Sequence, residues 1–449
     1  MTRGRDRLVR RLGLVLFAGM ALVAVFTVRD YGISRDEFMH ARNGEEALRF
    51  YLTAGREPRE FEIWPYGAAF ELPVAALQRV LPFERFDTRH ALNAAVGLAG
   101  IAGCWSLAAR LAGPRAGLCA AVLLALTPRW YGHMFNNPKD IPFAAAYVWA
   151  LSLLIGVARR LPRPSWRALL GFGGVAGLAM GVRPGGVLLP AYVALAAGWW
   201  IVRRRGWTRA PRLAGRVAAA GATAYGVMLL CWPWALRHPL AGPIRALTLL
   251  SWYPYNGTTL FAGREYAAGA TPRDYALHYL AITTPEVTLA LLAGGIVWLA
   301  WKRRIPSDPG LALAALGAVL PLAWVTLARS SLYHEVRHLL FTIPPLTALA
   351  LAALEGLLRR TLDRRGARRW AVAAYLGSSA AWQAGLMIRL HPCEYVYYNQ
   401  LVGGLPGAAG RYELDYWCAS YPEAVRELVA RLRREAGASF PARRFRLFV

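Results

Sequence analysis

The chain has 449 residues, 56% of them hydrophobic, a mean hydropathy of +0.30 and a formal net charge of +27. A soluble chain of this length would divide into two or three domains with polar surfaces, whereas here apolar blocks of about 15–23 residues recur between short arginine-rich or aromatic-rich loops. The charge does not indicate nucleic acid: lysine occurs only at Lys139 and Lys302, most arginines flank apolar blocks, and no nucleic-acid-binding motif is present.

Taken in chain order, the candidate spans are 12–28, 91–109, 116–128, 141–158, 168–182, 185–202, 214–234, 285–301, 310–328, 339–357 and 371–388. Residues 1–28 also fit a signal peptide, but no small-x-small cleavage site stands before Arg29 and the apolar run is long for one. The segment 64–82 is apolar yet holds Glu71, Pro65, Pro73 and Pro82, so it reads as a re-entrant or interfacial piece. The expectation is an all-α polytopic membrane protein of about eleven transmembrane helices. A membrane domain spans 1–390, with extracytoplasmic loops at 29–90 and 235–284, and a small extracytoplasmic tail spans 391–449.

Basic residues set the orientation. Segments 1–11, 110–115, 159–167, 203–216, 302–304 and 359–369 are arginine-rich and alternate along the chain, which makes them the inner face. Among the acidic residues only Asp6, Asp308, Glu355 and Asp363 fall on or near that side. Both patterns put the N-terminus in the cytoplasm and the C-terminus outside it. The arginine- and alanine-rich composition suits a GC-rich bacterium, hence its inner (plasma) membrane.

The first outer loop opens Tyr31-Gly32-Ile33-Ser34-Arg35-Asp36-Glu37. Two adjacent carboxylates just above a membrane are candidates for acid/base work or for holding a cation. Ser34 with Glu37 three positions on also makes a capping box, which needs no chemistry. Glu60-Phe61-Glu62 then leads into Ile63-Trp64-Pro65-Tyr66, a carboxylate beside a bent aromatic entry to the membrane.

The second outer loop, Pro128–Asp140, is the densest polar cluster between two spans. His133, Asn136, Asn137, Lys139 and Asp140 there suit phosphate and sugar hydroxyls, with Lys139 as a point charge. Asn137, Pro138 and Asp140 equally suit a capped helix start. Arg183 lies at a span boundary, where long side chains snorkel. Near the next outer edge, Arg329-Ser330-Ser331-Leu332-Tyr333-His334-Glu335-Val336-Arg337-His338 offers Arg337 as a phosphate clamp, or as an ion-pair partner of Glu335. His133, His334 and His338 share no zinc-ligand spacing. The tail adds tyrosines, Trp417 and carboxylates, a carbohydrate surface, a lid or a packed cap. Cys393 and Cys418 both fall outside the cytoplasm, where a disulfide is allowed.

An arginine-rich N-terminus, one span and an outer loop opening with Asp36-Glu37 resemble the GT-C glycosyltransferases. The branch it resembles most is that of the protein O-mannosyltransferases and aminoarabinose transferases, glycosyltransferase family 39-like. The resemblance runs over most of residues 10–390. It maps the family's catalytic carboxylate onto Asp36. Phe61-Glu62 resembles the start of a Phe-Glu-Lys-Pro element that binds donor phosphate or a cation, with Ile63 in place of the lysine. Arg337-His338-Leu339-Leu340 before Pro344-Pro345 resembles an Arg-Tyr-Leu stretch, with His338 in place of the aromatic.

The resemblance implies an inverting transferase in the bilayer, moving sugar from a polyprenyl-phosphate donor to a hydroxyl of a glycan, lipid or protein acceptor. It makes Asp36 and Glu37 the catalytic pair. It makes Arg35, Glu62, His133, Asn137, Lys139, Asp140, Arg337 and His338 the substrate-binding set, and it leaves Asp36 and Glu62 as the ligands of any divalent cation. The competing readings are a transporter or lipid flippase, which would carry its ionisable groups inside the spans, and a polymerase or ligase of surface glycans.

Overall fold

In a computed structural model, residues 2–56, 61–251, 253–302, 308–328, 330–363, 366–442 and 444 are described; Glu60 and Arg329 lie outside them. Among the described residues seven helices are long and apolar enough to cross a membrane: Arg7–Thr27, Arg85–Ala112, Asp140–Ala158, Pro184–Arg203, Trp207–Leu230, Pro309–Ala328 and Arg337–Glu355. Tyr275–Thr283 and Glu286–Trp301, which meet at 119°, make an eighth if they count as one span. The three remaining expected blocks are helical too, but fall short of that test. Pro114–Ala125 has 12 residues and Trp166–Met180 has 15, less than a perpendicular crossing needs. Ala367–Leu390 is long enough at 24 residues but carries Ser378, Ser379 and Gln383 in its middle.

Local chemistry sets the helix ends. Pro114, Pro128 and Pro309 each sit in a first turn, where an N–H would lack a partner in any case. Ser165 Oγ accepts from Ala168 N at 3.3 Å and caps Trp166–Met180. Gly173 and Gly177 bring that helix onto Ala210–Leu230: a Cβ at these positions would meet the carbonyl oxygens of Ala220 and Ala224 at 2.6 and 2.5 Å. Small residues at such a seam are what lets two helices pack in lipid, where water adds no driving force. Arg85–Ala112 and Asp140–Ala158 form the centre, burying Ile101, Cys104, Leu107, Val148 and Leu151 completely.

The two ends of the bundle differ. At one, Arg159 pairs with Asp308 and donates to the Arg110 carbonyl at 2.5 Å, so three segments expected on the inner face meet there. At the other gather the first loop, the second loop and the tail. The 64–82 segment is here a turn followed by the seven-residue helix Glu71–Leu77. Its entry takes up carbonyls left over at two helix ends, Ala69 N donating to Gly181 O at 3.1 Å and Ala68 N to Cys231 O at 2.8 Å. Among the described residues the only strands are Thr258–Phe261 and Arg264–Ala267, an antiparallel hairpin in the 235–284 loop. Its turn residues Ala262 and Gly263 both have positive φ, 51° and 79°.

Residues past 390 share the core of the bundle. Tyr398, Ala408 and Tyr412 are buried in it, and Asn399 Nδ2 donates to the carbonyls of Ala281 and Thr284, where the bent pair breaks. The last long helix, Tyr421–Ala436, buries no residue. All five cysteines are unbridged, so Cys393 and Cys418 form no disulfide in this structure.

Candidate active site

Asp36 stands at the head of the helix Glu37–Leu52, its side chain 22% exposed and its Oδ2 2.8 Å from Arg337 NH1. The two residues are 301 positions apart. Arg337 opens the short 3-10 turn that leads into Ile343–Asp363. Its guanidinium is packed among the rings of Tyr333, Tyr416 and Trp417, at 5.4–5.9 Å from their centroids. Burial raises the Asp36 carboxyl, but the charges of Arg337 and Lys139 outweigh it and hold the group well below the usual carboxylate range.

The second loop supplies the facing wall. Asn137 Oδ1 accepts from Asp140 N at 2.9 Å and its Nδ2 donates to Asp140 Oδ2 at 3.0 Å. The cap expected from Asn137 therefore also fixes a side chain of the site. The other oxygen of Asp140 pairs with Arg183. Lys139 is buried, with Nζ 4.4 Å above the Tyr66 ring. Burial, with Arg183 and Arg337 nearby, brings its pKa down to about 7 against the opposing pull of Asp36 and Asp140. Two carboxylates thus face three cationic side chains, and the surplus charge suits an anion. His133 lies behind this wall, linked to Asn137 Nδ2 and to Tyr416 OH at 3.3 Å each. Burial and the Arg129 charge press it down to about 3, so it is neutral.

A cavity of about 560 Å³ opens beside these groups. Its polar end has Arg183, His338, Tyr66 and Ser331; the rest is apolar, with Leu250, Leu320 and Trp324 among the lining. It runs between Pro184–Arg203, Ala241–Ser251 and Pro309–Ala328.

Of the residues singled out in the sequence, the structure brings together Asp36, His133, Asn137, Lys139, Asp140, Arg337 and His338. Glu37 turns away from Asp36: one oxygen accepts from Ser34 N at 2.7 Å and the other meets His90 Nε2 at 2.9 Å. Half of the expected capping box is present, since Ser34 Oγ donates to Asn136 O at 3.0 Å instead of capping the helix. Arg35 is exposed and joins the site through its backbone, whose N–H donates to Trp417 O at 3.2 Å. Glu62 belongs to an exposed cluster with Arg42 and Glu46. Asp36 and Glu62 therefore do not converge on one cation, and among the described residues no three His, Cys, Asp or Glu side chains come together as a metal site. Glu335 does not pair with Arg337; it pairs with buried Arg129 and accepts from Tyr398 OH at 2.7 Å.

The tail, expected as a carbohydrate surface, a lid or a packed cap, supplies two members, and several others were not singled out. Tyr416 and Trp417 of the tail close over Arg337, and Arg129 anchors Glu335 beside it. His40, Glu71, Arg89 and His90 fill a buried polar cluster next to Asp36. One signal was available: His40 follows Asp36 by four residues, the spacing that puts two side chains on one helix face.

Residues 87–234 match the family model described as dolichyl-phosphate-mannose-protein mannosyltransferase. That third of the chain holds Lys139, Asp140 and Arg183 but neither Asp36 nor Arg337. Among solved structures, ArnT from Cupriavidus metallidurans bound to undecaprenyl phosphate is similar over 94% of this chain and 80% of its own, at 16% identity and a TM-score of 0.58. The apo ArnT structure gives 95%, 80%, 16% and 0.57. The oligosaccharyltransferase AglB from Archaeoglobus fulgidus, in complex with an inhibitory peptide and a dolichol-phosphate, matches 84% of this chain at 13% identity and a TM-score of 0.54, this chain spanning 55% of its length. No curated protein matches by sequence. The resemblance read from the sequence is borne out as far as the family match over residues 87–234 and the shared multi-pass helical fold reach.

Proposed function

We propose that the chain is an inverting glycosyltransferase that moves a sugar from a polyprenyl-phosphate donor to an acceptor hydroxyl at the extracytoplasmic face of a bacterial plasma membrane. The observation that carries this is the meeting of an ionised carboxylate, a surplus of buried positive charge and an apolar cavity at one end of a membrane bundle. A lipid-linked sugar phosphate has matching parts: an isoprenoid tail for the cavity, an anion for Arg183, Lys139 and Arg337, and an anomeric carbon next to the phosphate for attack beside Asp36. The ligands present in the ArnT and AglB structures, undecaprenyl phosphate and dolichol-phosphate, support the same choice of donor class.

Asp36 takes the proton of the acceptor hydroxyl as its oxygen bonds to the anomeric carbon. The bond from that carbon to the phosphate oxygen breaks on the opposite face, and polyprenyl phosphate leaves with the electron pair. The charge that grows on it is met by cations already in place, which is where such a site lowers the barrier. Arg337 has two possible partners in this scheme. Without donor it clamps Asp36 and weakens it as a base; a donor phosphate competes for the guanidinium and raises the proton affinity of Asp36. The base is thereby switched on when there is a sugar to attack. His133, Asn137 and His338 position this wall, and Glu37 fixes the start of the helix that carries Asp36.

The test is transfer by the purified protein in liposomes, supplied with undecaprenyl-phosphate-linked sugars and a lipid, glycan or peptide acceptor panel. The expected result is release of undecaprenyl phosphate with inversion at the transferred sugar. Movement of the donor across the bilayer with no transfer would instead make the chain a flippase.

A further inference from the structure

Next to Asp36 the bundle buries a second polar cluster that the transfer step leaves unused. His40 lies one turn on from Asp36 in Glu37–Leu52, its N–H bonded to the Asp36 carbonyl at 3.1 Å. Its ring Nδ1 is 4.0 Å from Glu71 Oε1. Glu71 Oε2 is held by Arg89 NH2 at 2.5 Å. Yet Glu71 Oε1, Arg89 Nε and NH1, His90 Nδ1 and Asn43 Nδ2 are buried without a hydrogen-bond partner. All five residues are 5% exposed or less. A partly satisfied ionic network in an interior is worse for stability than apolar packing, so packing alone does not account for it.

We infer that His40 and Glu71 form a proton relay that takes the acceptor's proton away from Asp36; the inference rests on the transferase reading. The acceptor O–H bond breaks and the proton goes to an Asp36 oxygen. It passes to the free nitrogen of the His40 ring, and once rotation closes the 4.0 Å between His40 Nδ1 and Glu71 Oε1 the opposite N–H gives a proton to that oxygen. One proton enters, one is stored, and Asp36 is a carboxylate again before the next acceptor arrives. Glu71 returns its proton to water once product has left, and no electrons change hands.

The charges around the relay give it a direction. Asp36 faces Lys139, and Arg337 until a donor phosphate competes for it, and both lower its hold on a proton. Glu71 faces Arg89, with Glu37 and Lys139 further off. Burial pushes it up to about 7 in spite of Arg89. The proton thus passes from the weaker holder to the stronger. Between them His40 faces Lys139 and Arg89 on one side and Asp36 and Asp140 on the other, with the Tyr66 ring at 6.4 Å. Burial keeps it neutral, as a transient carrier must be.

Infrared difference spectra of the whole protein in liposomes test this without a known sugar. The expected result is a protonated-carboxyl stretch that grows as pH falls through about 7, vanishes in Glu71→Gln and persists, displaced, in Glu71→Asp. In the transfer assay the wild-type rate should fall on the acid side as Glu71 fills. Glu71→Gln should lack that limb, and His40→Asn should slow transfer while leaving the Glu71 carboxyl band in place. A merely structural role would lower the rate equally at every pH. A band absent from the wild type, or unchanged in Glu71→Gln, overturns the relay and leaves the transferase reading standing. No transfer by the wild type at any pH, with the band intact, overturns the transferase reading and the relay with it.

Discussion

Arginine meets carboxylate at both ends of this bundle, with opposite consequences. Arg159 and Asp308, at the end gathered from arginine-rich loops, keep 37% and 30% of their side chains exposed. Such a pair is screened by water and contributes at most about 1 kcal/mol. At the other end Arg129–Glu335 is 1% and 0% exposed, Arg183–Asp140 15% and 3%, and Arg337–Asp36 4% and 22%. Taking these charges out of water costs several kcal/mol per ion, so a pair kept there serves a purpose other than stability. Arginine at one end stays in water; at the other it is buried against carboxylate, and in the proposed function Arg183 and Arg337 meet an anion there. Asp36 is the most exposed member of the buried set, as a group that must meet a substrate should be.

That contrast can be broken by mutation. The largest effect belongs to Asp36→Asn, which should lower transfer by about 10²–10⁴-fold while the protein still inserts and expresses; retained activity would move the base elsewhere. Arg129→Met comes next. It strands the Glu335 carboxylate in the interior and should cost about 3–5 kcal/mol of stability, read as a lowered midpoint of thermal unfolding in detergent.

Lys139 sharpens the comparison through pH. Bound phosphate favours the protonated amine, so donor binding takes up a proton, and affinity for undecaprenyl phosphate should fall as pH rises through about 7. Lys139→Ala should weaken donor use by about tenfold, more than acceptor use, and flatten that dependence; equal loss toward donor and acceptor would remove Lys139 from the phosphate site. The smallest effect is expected at the exposed end, where Arg159→Ala should change stability by about 1 kcal/mol or less and leave transfer rates unaltered. A large loss of activity there would erase the distinction between the ends.

The fold was legible because lipid imposes strong rules on sequence. Every expected span falls on a helix, since apolar runs with charged flanks have no other use in such a chain. The number of crossings was less so: Trp166–Met180 and Pro114–Ala125 end where Gly181 and Leu126 end them, short of a full crossing. In the site, Asp36, Lys139 and Arg337 stood out because each belongs to a short charged cluster beside an apolar run. Glu62 looked equivalent and was not, because its partners Arg42 and Glu46 lie one helix back in the chain and draw it to the surface. Arg89 and Glu71 were hidden by their setting, a span entrance and a proline-broken apolar piece, where each reads as a snorkelling or solvated charge. Only the long-range packing of Glu71–Leu77 onto Arg85–Ala112 makes them partners.

The strap formed by residues 411–419 reaches further than its contacts suggest. Arg35 holds the Trp417 carbonyl, Gly32 lies so close to Ala419 that a Cβ would meet its carbonyl oxygen at 2.1 Å, and Gly263 donates to Arg411. The cage around Arg337 is therefore closed by a segment that follows Ala367–Leu390 and is laced back to the loop carrying Asp36. A chain cut after Leu390 would keep Asp36 and the cations of the cavity without the indole and phenol that cover them, leaving the Arg337 guanidinium to water where the whole chain offers it rings.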